Sequence, residues 1–222
     1  MRVLSLFALP LFIVACNGDD TDDTNDTGSG TDGTEVEGTS VTGSDVAFYS
    51  YDTTACSDAD TVLRGEADTE DGHWSAARIT PSQDMSLEQV RIHLFHDPLD
   101  TLLDCEATLP TSVHVYVTSD SAPPADSAPD LVLSVPTAEV NETERVIILP
   151  ADLELSAGDN VFVAIQVIST STSATCLRTC PESGGSRNFW SNADARPYSW
   201  SAFSDIGLTD TTQFFSIHGT AN

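Results

Sequence analysis

Apolar and polar residues alternate along much of this chain, and that period of two limits its fold more than any other feature. Residues 86–96 read SLEQVRIHLFH, so Val90, Ile92 and Leu94 share one side of an extended chain. Residues 112–118 repeat the pattern with three valines. Such alternation is typical of a strand that buries one face, whereas an amphipathic helix has a period of 3.6. Beyond residue 45 no stretch of ten or more residues carries a helical stripe, so we expect an all-β domain.

Turn-forming residues divide the later part of the chain into about nine short strands. Asp71-Gly72 and Ala157-Gly158-Asp159-Asn160 are two of these dividers, and Gly, Asp and Asn suit tight turns. Short strands between polar loops predict an antiparallel β-sandwich, and in particular a jelly roll. The predicted strands are 46–51, 73–80, 86–96, 112–118, 131–135, 145–149, 161–168, 187–191 and 213–219.

An export signal is predicted over residues 1–15. Arg2 precedes an apolar run that is too short to span a bilayer and that Pro10 interrupts. The run ends in Ile13-Val14-Ala15-Cys16, which resembles the lipobox of bacterial lipoproteins. The resemblance implies cleavage before Cys16 and its acylation by lipid chains such as palmitate. An ordinary secretory signal followed by an unrelated cysteine is the alternative.

The lipidated cysteine is expected to begin a disordered tether over residues 16–45. Residues 17–45 consist largely of Asp, Thr, Gly and Ser, with nine acids and no base, and they cannot bury enough apolar surface to fold. A flexible chain of that length spans roughly 30 Å. By the sorting rules of bacterial lipoproteins, Asn17 permits export to the outer membrane. We therefore expect a lipid-anchored protein of the bacterial cell envelope, at the outer membrane or the cell surface.

The net charge of the chain is strongly negative. It holds eight arginines, no lysine and 35 acidic residues, for a formal charge of −27. Nucleic acid is excluded as a partner, because its phosphates require basic groups. Anionic membrane surfaces should repel the chain, so we expect the membrane as a partner through the lipid anchor alone. The domain predicted over 46–222 keeps 26 acids and seven arginines, a charge of −19 that mainly indicates a solubilising surface.

Two acidic segments of the domain are candidates for binding a cation. They cover Glu66–Asp71 and Asp97–Asp104. Their spacing does not match an EF-hand loop, so no cofactor and no set of metal ligands is predicted. A structural calcium ion within the domain is the alternative.

Four cysteines beyond Cys16 should form two disulfides, because an even number in an exported chain indicates pairing. Three connectivities are open. We favour Cys176 with Cys180, since CLRTC could close a tight turn before Pro181, and therefore Cys56 with Cys105. Zinc binding by the cysteines is the alternative.

Aromatic residues near the C-terminus form the candidate ligand surface. Residues 146–167, followed by the aromatic segment 187–203, are similar to jelly-roll modules of bacterial extracellular proteins, akin to galactose-binding-like and carbohydrate-binding domains. The resemblance implies a binding module without catalytic residues. We predict that Trp190, Tyr198 and Trp200 stack on a sugar, whereas packing inside the sandwich is the alternative.

No catalytic motif is visible in the sequence. HExxH, GxSxG, a phosphate-binding Gly-rich loop and a redox CxxC are all absent, and the five histidines form no site that spacing reveals. We therefore expect a non-catalytic binding or structural module whose partner is a glycan or an envelope protein. An extracellular hydrolase whose active site is assembled from dispersed residues is the alternative.

Overall fold

A computed structural model of the chain describes residues 45–53, 56, 61–64, 73–95, 105, 111–135, 144–169, 174–182 and 184–222. The predicted signal, the predicted lipidation residue Cys16 and residues 17–44 of the predicted tether lie outside these ranges. The two acidic segments, 66–71 and 97–104, also lie outside them.

The described residues are almost entirely strands, as the alternation predicts. One four-residue 3-10 helix (Phe203–Ile206) is the longest helical element among them, and no described helix has the length and apolarity needed to cross a membrane. The strands are β1 (Asp45–Tyr49), β2 (Thr61–Arg64), β3 (His73–Ile79), β4 (Met85–Phe95), β5 (Ser112–Thr118), β6 (Leu131–Ser134), β7 (Glu144–Leu155), β8 (Asn160–Val167), β9 (Cys176–Cys180), β10 (Asn188–Ser191), β11 (Ser201–Ala202), β12 (Thr212–Gln213) and β13 (Phe215–Ala221).

Two antiparallel sheets pack face to face, and their strand order is that of a jelly roll. The first sheet contains β1-β13-β4-β7, and the second contains β3-β8-β5-β6. These eight strands cross between the sheets as two Greek keys do. The first sheet is extended by β9, β12 and β2, and the second by β10 and β11. The predicted antiparallel jelly-roll sandwich is therefore confirmed.

The main core lies between the two sheets. Val90, Ile92 and Leu94 of β4 are buried there, as predicted, opposite Val113 and Val115 of β5. Burial of one such side chain stabilises the fold by about 1.5 to 3 kcal/mol. The period of two therefore identifies the core-facing side of both strands.

Strand β8 is apolar on both faces, because both are covered. Val163 and Ile165 point into the main core, while Phe162 and Ala164 belong to a second cluster on the other side of the sheet. The turn that leads into β8 contains Gly158, whose φ of +91° suits a residue without a side chain.

Strand β7 is longer than predicted. It continues through Pro150 to Leu155, where the sequence suggested a strand end and a short apolar bridge. Its register with β4 shifts between Leu87 and Gln89, opposite the segment that contains Pro150. A bulge accommodates proline because the ladder hydrogen bonds are already interrupted there.

The four cysteines form two disulfides as expected, but the predicted pairing is wrong. Cys56 is bonded to Cys180, and Cys105 is bonded to Cys176. Cys176 and Cys180 are the two ends of β9 rather than the sides of a turn. Residues four apart on a strand are separated by about 13 Å, and a disulfide requires Cα atoms within about 7 Å. The two disulfides instead tie both ends of β9 to distant parts of the chain.

Candidate functional site

The structure separates the three aromatic residues that the sequence grouped into one ligand surface. Trp190 lies in the core between the sheets, 7% exposed, and its Nε1–H donates to Asn192 Oδ1 at 2.6 Å. Tyr198 and Trp200 lie on the other side of the second sheet, with ring centroids 5.3 Å apart. Trp190 cannot share a platform with the other two, because the second sheet lies between Trp190 and the cluster that contains Tyr198 and Trp200.

Tyr198 and Trp200 belong to a second cluster that we term the covered face. Tyr198 is only 6% exposed, and its N–H donates to the Ala125 carbonyl at 3.0 Å. The indole N–H of Trp200 donates to the Pro124 carbonyl, at 3.2 Å. These bonds join two loops over the outer side of the second sheet. The buried members of the covered face are Trp74, Ala76, Tyr116, Phe162, Ala164, Phe189 and Tyr198.

One histidine lies at the edge of the covered face. The ring of His114 packs on Trp74, with centroids 4.2 Å apart. Burial, with a smaller effect from the Arg196 guanidinium, lowers the pKa of His114 to about 4. His114 is therefore neutral at pH 7 and contributes packing rather than charge.

The outer side of the first sheet carries a different set of side chains. In one row across the strands, Tyr49 lies opposite Ser216, Ser216 opposite Arg91, and Arg91 opposite Val146. Tyr49 is 40% exposed and Val146 is 38% exposed. We term this surface the polar-aromatic face; its members are Tyr49, Tyr51, Gln89, Arg91, His93, Glu144, Val146, Ile148, Arg178, Phe214, Ser216 and His218.

Five rings form a continuous ladder across the polar-aromatic face. His218 contacts Tyr49 at 5.9 Å between centroids, and Tyr49 contacts Tyr51 at 5.5 Å. Tyr51 then contacts Phe214 at 4.4 Å, and Phe214 contacts His93 at 5.6 Å. Tilted and edge-on arrangements at these distances are favourable for aromatic pairs. The ladder therefore fixes its rings in a row that runs from His218 to His93, with the exposed Tyr49 next to the His218 end.

Charged groups lie at the other end of the ladder. Glu144 Oε1 is 3.4 Å from His93 Nε2 and 3.7 Å from an outer nitrogen of Arg91. A second guanidinium, that of Arg178, lies over the Phe214 ring at 5.3 Å from its centroid. Arginine over an aromatic ring is a favourable cation–π contact. The face therefore combines two arginines with one carboxylate.

The two histidines of the face are neutral at pH 7. Burial lowers the pKa of His93, although the Glu144 carboxylate partly opposes the shift. Burial, with a smaller effect from Arg91, lowers the pKa of His218 to about 4. Burial also raises the pKa of Tyr51, assisted by Tyr49. The formal charges of the face are therefore those of Arg91, Arg178 and Glu144.

Arg91 keeps much of its hydrogen-bonding capacity. Within the described ranges, it donates one hydrogen bond, to Gln89 Oε1 at 3.2 Å, and the 3.7 Å approach to Glu144 is longer than a hydrogen bond. Its buried Nε and the buried Nδ1 of His93 have no described partner. A guanidinium has five N–H donors, so Arg91 can still bind an acceptor on a ligand.

A serine and a histidine form a close pair on the same face. Ser216 Oγ and His218 Nε2 share a hydrogen bond of 2.8 Å, and the two residues are separated by one position on β13. Ser216 is 3% exposed. Within the described part of the chain, no carboxylate is hydrogen-bonded to His218.

One group of potential metal ligands is found among the described residues, and it is not a built metal site. Cys56, Cys180 and Glu182 bring one ligand atom each within 4.8 Å of one another. The two sulfurs are joined in a disulfide, and metal binding requires thiolates.

The polar-aromatic face was not predicted from the sequence, although part of its signal was present. The alternation predicts that Arg91 and His93 lie on the outward side of one strand. It also predicts that Ser216 and His218 lie on the same side of another strand. These two pairs of residues lie close together because β4 pairs with β13, and the two strands are more than a hundred residues apart in the chain. Spacing within one strand cannot reveal such a pairing.

Comparison with protein-family models finds no match to this chain, and comparison with curated proteins finds no significant relative.

Proposed function

We propose that this protein is a lipid-anchored, non-catalytic binding module of the bacterial cell envelope, and that its polar-aromatic face binds a glycan. The observation that carries the proposal is the ring ladder, which presents the exposed Tyr49 in the same row across the sheet as the incompletely bonded Arg91. A jelly roll without a catalytic motif is a common frame for binding modules, and site chemistry rather than fold must support the function.

The side chains of the face suit a sugar. Tyrosine combines an apolar ring with a hydroxyl, so Tyr49 offers a surface for the C–H face of a sugar ring. Arg91 supplies donors, while Gln89 and Glu144 supply acceptors for hydroxyl groups. Binding sites typically combine apolar walls with a few placed polar groups, and this face contains both.

The predicted lipid anchor supports a location at the cell envelope. Ile13-Val14-Ala15-Cys16 resembles a lipobox, and the Asp/Thr/Gly-rich residues that follow would hold the domain away from the lipid. Asp45, the last residue of that segment, begins β1, and β1 ends at Tyr49. A module on such a tether can reach glycans around the membrane to which it is attached.

A glycan array probed with the full-length chain in detergent tests this proposal. Tyr49→Ala should abolish binding without lowering the melting temperature by more than a few degrees, because its ring is 40% exposed. Val132→Ala is the matched control, since Val132 is an exposed apolar side chain on a strand of the other sheet. Equal loss in both variants, or absence of binding to any glycan by the unmodified chain, would contradict the proposal.

A second candidate function, an extracellular hydrolase, is favoured by the Ser216–His218 pair. A neutral imidazole 2.8 Å from a serine hydroxyl could accept its proton. Ser216 is 3% exposed, so attack on a substrate would require neighbouring side chains to move. Labelling by a fluorophosphonate that disappears in Ser216→Ala would support the hydrolase; absence of labelling in the native chain would leave binding as the function.

A further inference from the structure

We infer that the glycan bound by the polar-aromatic face carries a carboxylate and that Arg91 binds this group. The inference rests on the proposed glycan-binding function and adds the chemical class of the ligand. The structural basis is the joint placement of Arg91 and Tyr49, which lie in one row across the sheet with Ser216 between them.

The charge distribution argues for an anionic group on the ligand. The chain has a formal charge of −27 and only eight basic side chains, all arginine. Two of them, Arg91 and Arg178, lie on this face beside a single described carboxylate, Glu144. On a strongly acidic protein, a guanidinium whose donors are largely unused, such as that of Arg91, favours an anionic group on the ligand.

The exposure and the unused hydrogen-bond donors of Arg91 also favour an anionic ligand. It is 31% exposed, so the guanidinium can be reached from solvent. Its contacts with Gln89 and Glu144 leave most of its donors unused in the described structure. The planar fork of a guanidinium matches the two oxygens of a carboxylate. A neutral sugar would use these donors less completely than a uronic acid.

The Tyr49 ring supplies the surface on which the sugar itself would lie. Tyr49 and Arg91 are two strands apart, about 10 Å along the sheet. A sugar ring can therefore lie on Tyr49 while a carboxylate on the same oligosaccharide reaches Arg91. Arg178, held over Phe214, adds positive charge nearby.

Calorimetric titration of the full-length chain in detergent tests the inference. The probes are oligogalacturonate, oligomannuronate and hyaluronan fragments, each compared with its methyl ester, which keeps the sugar and removes the charge. The acid should bind more tightly than its ester, and rising salt should weaken only the acid. Arg91→Gln should weaken acid binding by about tenfold or more, because it removes charged hydrogen bonds. Ester binding should weaken much less, because the glutamine amide can still donate uncharged hydrogen bonds.

Two further variants separate recognition from simple damage to the fold. Glu144→Gln removes the competing carboxylate, so it should tighten acid binding several-fold, which a structural defect would not do. Arg78→Gln is the matched charge control, because Arg78 lies on β3 of the other sheet and donates to the Ser121 carbonyl. Arg78→Gln should leave both affinities unchanged. If Arg91→Gln fails to fold, the acid and ester affinities of the native chain and of Glu144→Gln still decide the matter.

The possible outcomes test the carboxylate inference and the glycan-binding function separately. Equal affinity for acids and esters, with neutral glycans also bound, would overturn the inference and leave the glycan-binding function in place. Binding of no probe and no array glycan would overturn both. Acid binding that is lost equally in Arg91→Gln and Arg78→Gln would show a diffuse charge effect and would also overturn the inference.

Discussion

Tyr49 and His218, on neighbouring strands, meet edge to face with ring centroids 5.9 Å apart. Their contact begins the ladder of rings that crosses the outer side of the first sheet. The outer side of the second sheet is also rich in aromatic residues, but two loops bond to each other over it. Both outer sides therefore carry packed rings, and the ladder on the first sheet differs in that it includes the exposed Tyr49.

The disulfide connectivity leads to a first prediction. Peptide mapping of the unreduced protein should recover Cys56 linked to Cys180 and Cys105 linked to Cys176. Replacing Cys56 and Cys180 together by serine should lower the free energy of unfolding by about 2 to 5 kcal/mol, since a long closed loop is released. Denaturant titration measures the change. A peptide linking Cys176 to Cys180 would contradict the structure.

The tryptophans should differ in their contribution to stability. Trp190→Ala removes a ring from the core between the sheets and should cost about 3 to 5 kcal/mol. Trp200→Ala should cost less, because its ring is only partly buried and holds a loop through one hydrogen bond to Pro124. Thermal unfolding of both variants checks the order. A larger loss for Trp200→Ala would show that the loops over the covered face, rather than the core, limit stability.

Acid should destabilise the protein partly through His218. Its pKa is about 4 in the folded chain and near the ordinary 6.5 once unfolded, so the unfolded state binds more protons between these values. This contribution to stability is complete above pH 6.5 and is lost as the pH falls towards 4. Melting temperatures from pH 7 to pH 4 should therefore fall less steeply in His218→Gln than in the native chain. Tyr49, Ser216, Arg91 and Glu144 surround the ring and are unchanged in the comparison.

Equal slopes of melting temperature against pH in the native chain and in His218→Gln would mean that folding does not lower the pKa of His218. The comparison of slopes is needed because many carboxylates also bind protons in this range. Their effect is common to both proteins and cancels in the difference.

The proposed lipid anchor at Cys16 leads to a separate prediction. Cys16→Ser should release the protein from membranes into the soluble fraction, because the acyl chains supply the energy of attachment. Fractionation of cells that express each form measures the effect. Continued membrane association of the serine variant would contradict lipidation at this position.

Strands whose burial follows a period of two could be predicted from the sequence, and others could not. The inward faces of β4 and β5 were evident because each strand covers one core with alternate residues. At β9 the sequence instead predicts a turn, because the strand is short and carries cysteines at both ends. The same misreading led to the wrong disulfides. A strand of five residues gives too few alternations to outweigh a local pairing of cysteines.

The proposed ligand surface was harder to predict than the fold. The clustering of aromatic residues in segment 189–203 predicts one ligand surface there. Successive residues on a strand point to opposite faces, however, so Phe189 and Trp190 belong to different hydrophobic clusters. Members of the polar-aromatic face come from β1, β4, β7, β9 and β13, together with Tyr51 and Phe214 beside them. Register between distant strands decides which of these residues meet, and register is a property of the folded sheet.

Selective labelling of tyrosine rings tests the central claim most directly. The chain has four tyrosines, of which Tyr49 and Tyr51 lie on the polar-aromatic face and Tyr116 and Tyr198 on the covered face. NMR titration of the ring-labelled protein with a glycan that it binds therefore compares the two surfaces in one spectrum. The account predicts that the Tyr49 and Tyr51 resonances shift in proportion to bound ligand while those of Tyr116 and Tyr198 stay in place. Shifts confined to Tyr116 and Tyr198 would contradict it.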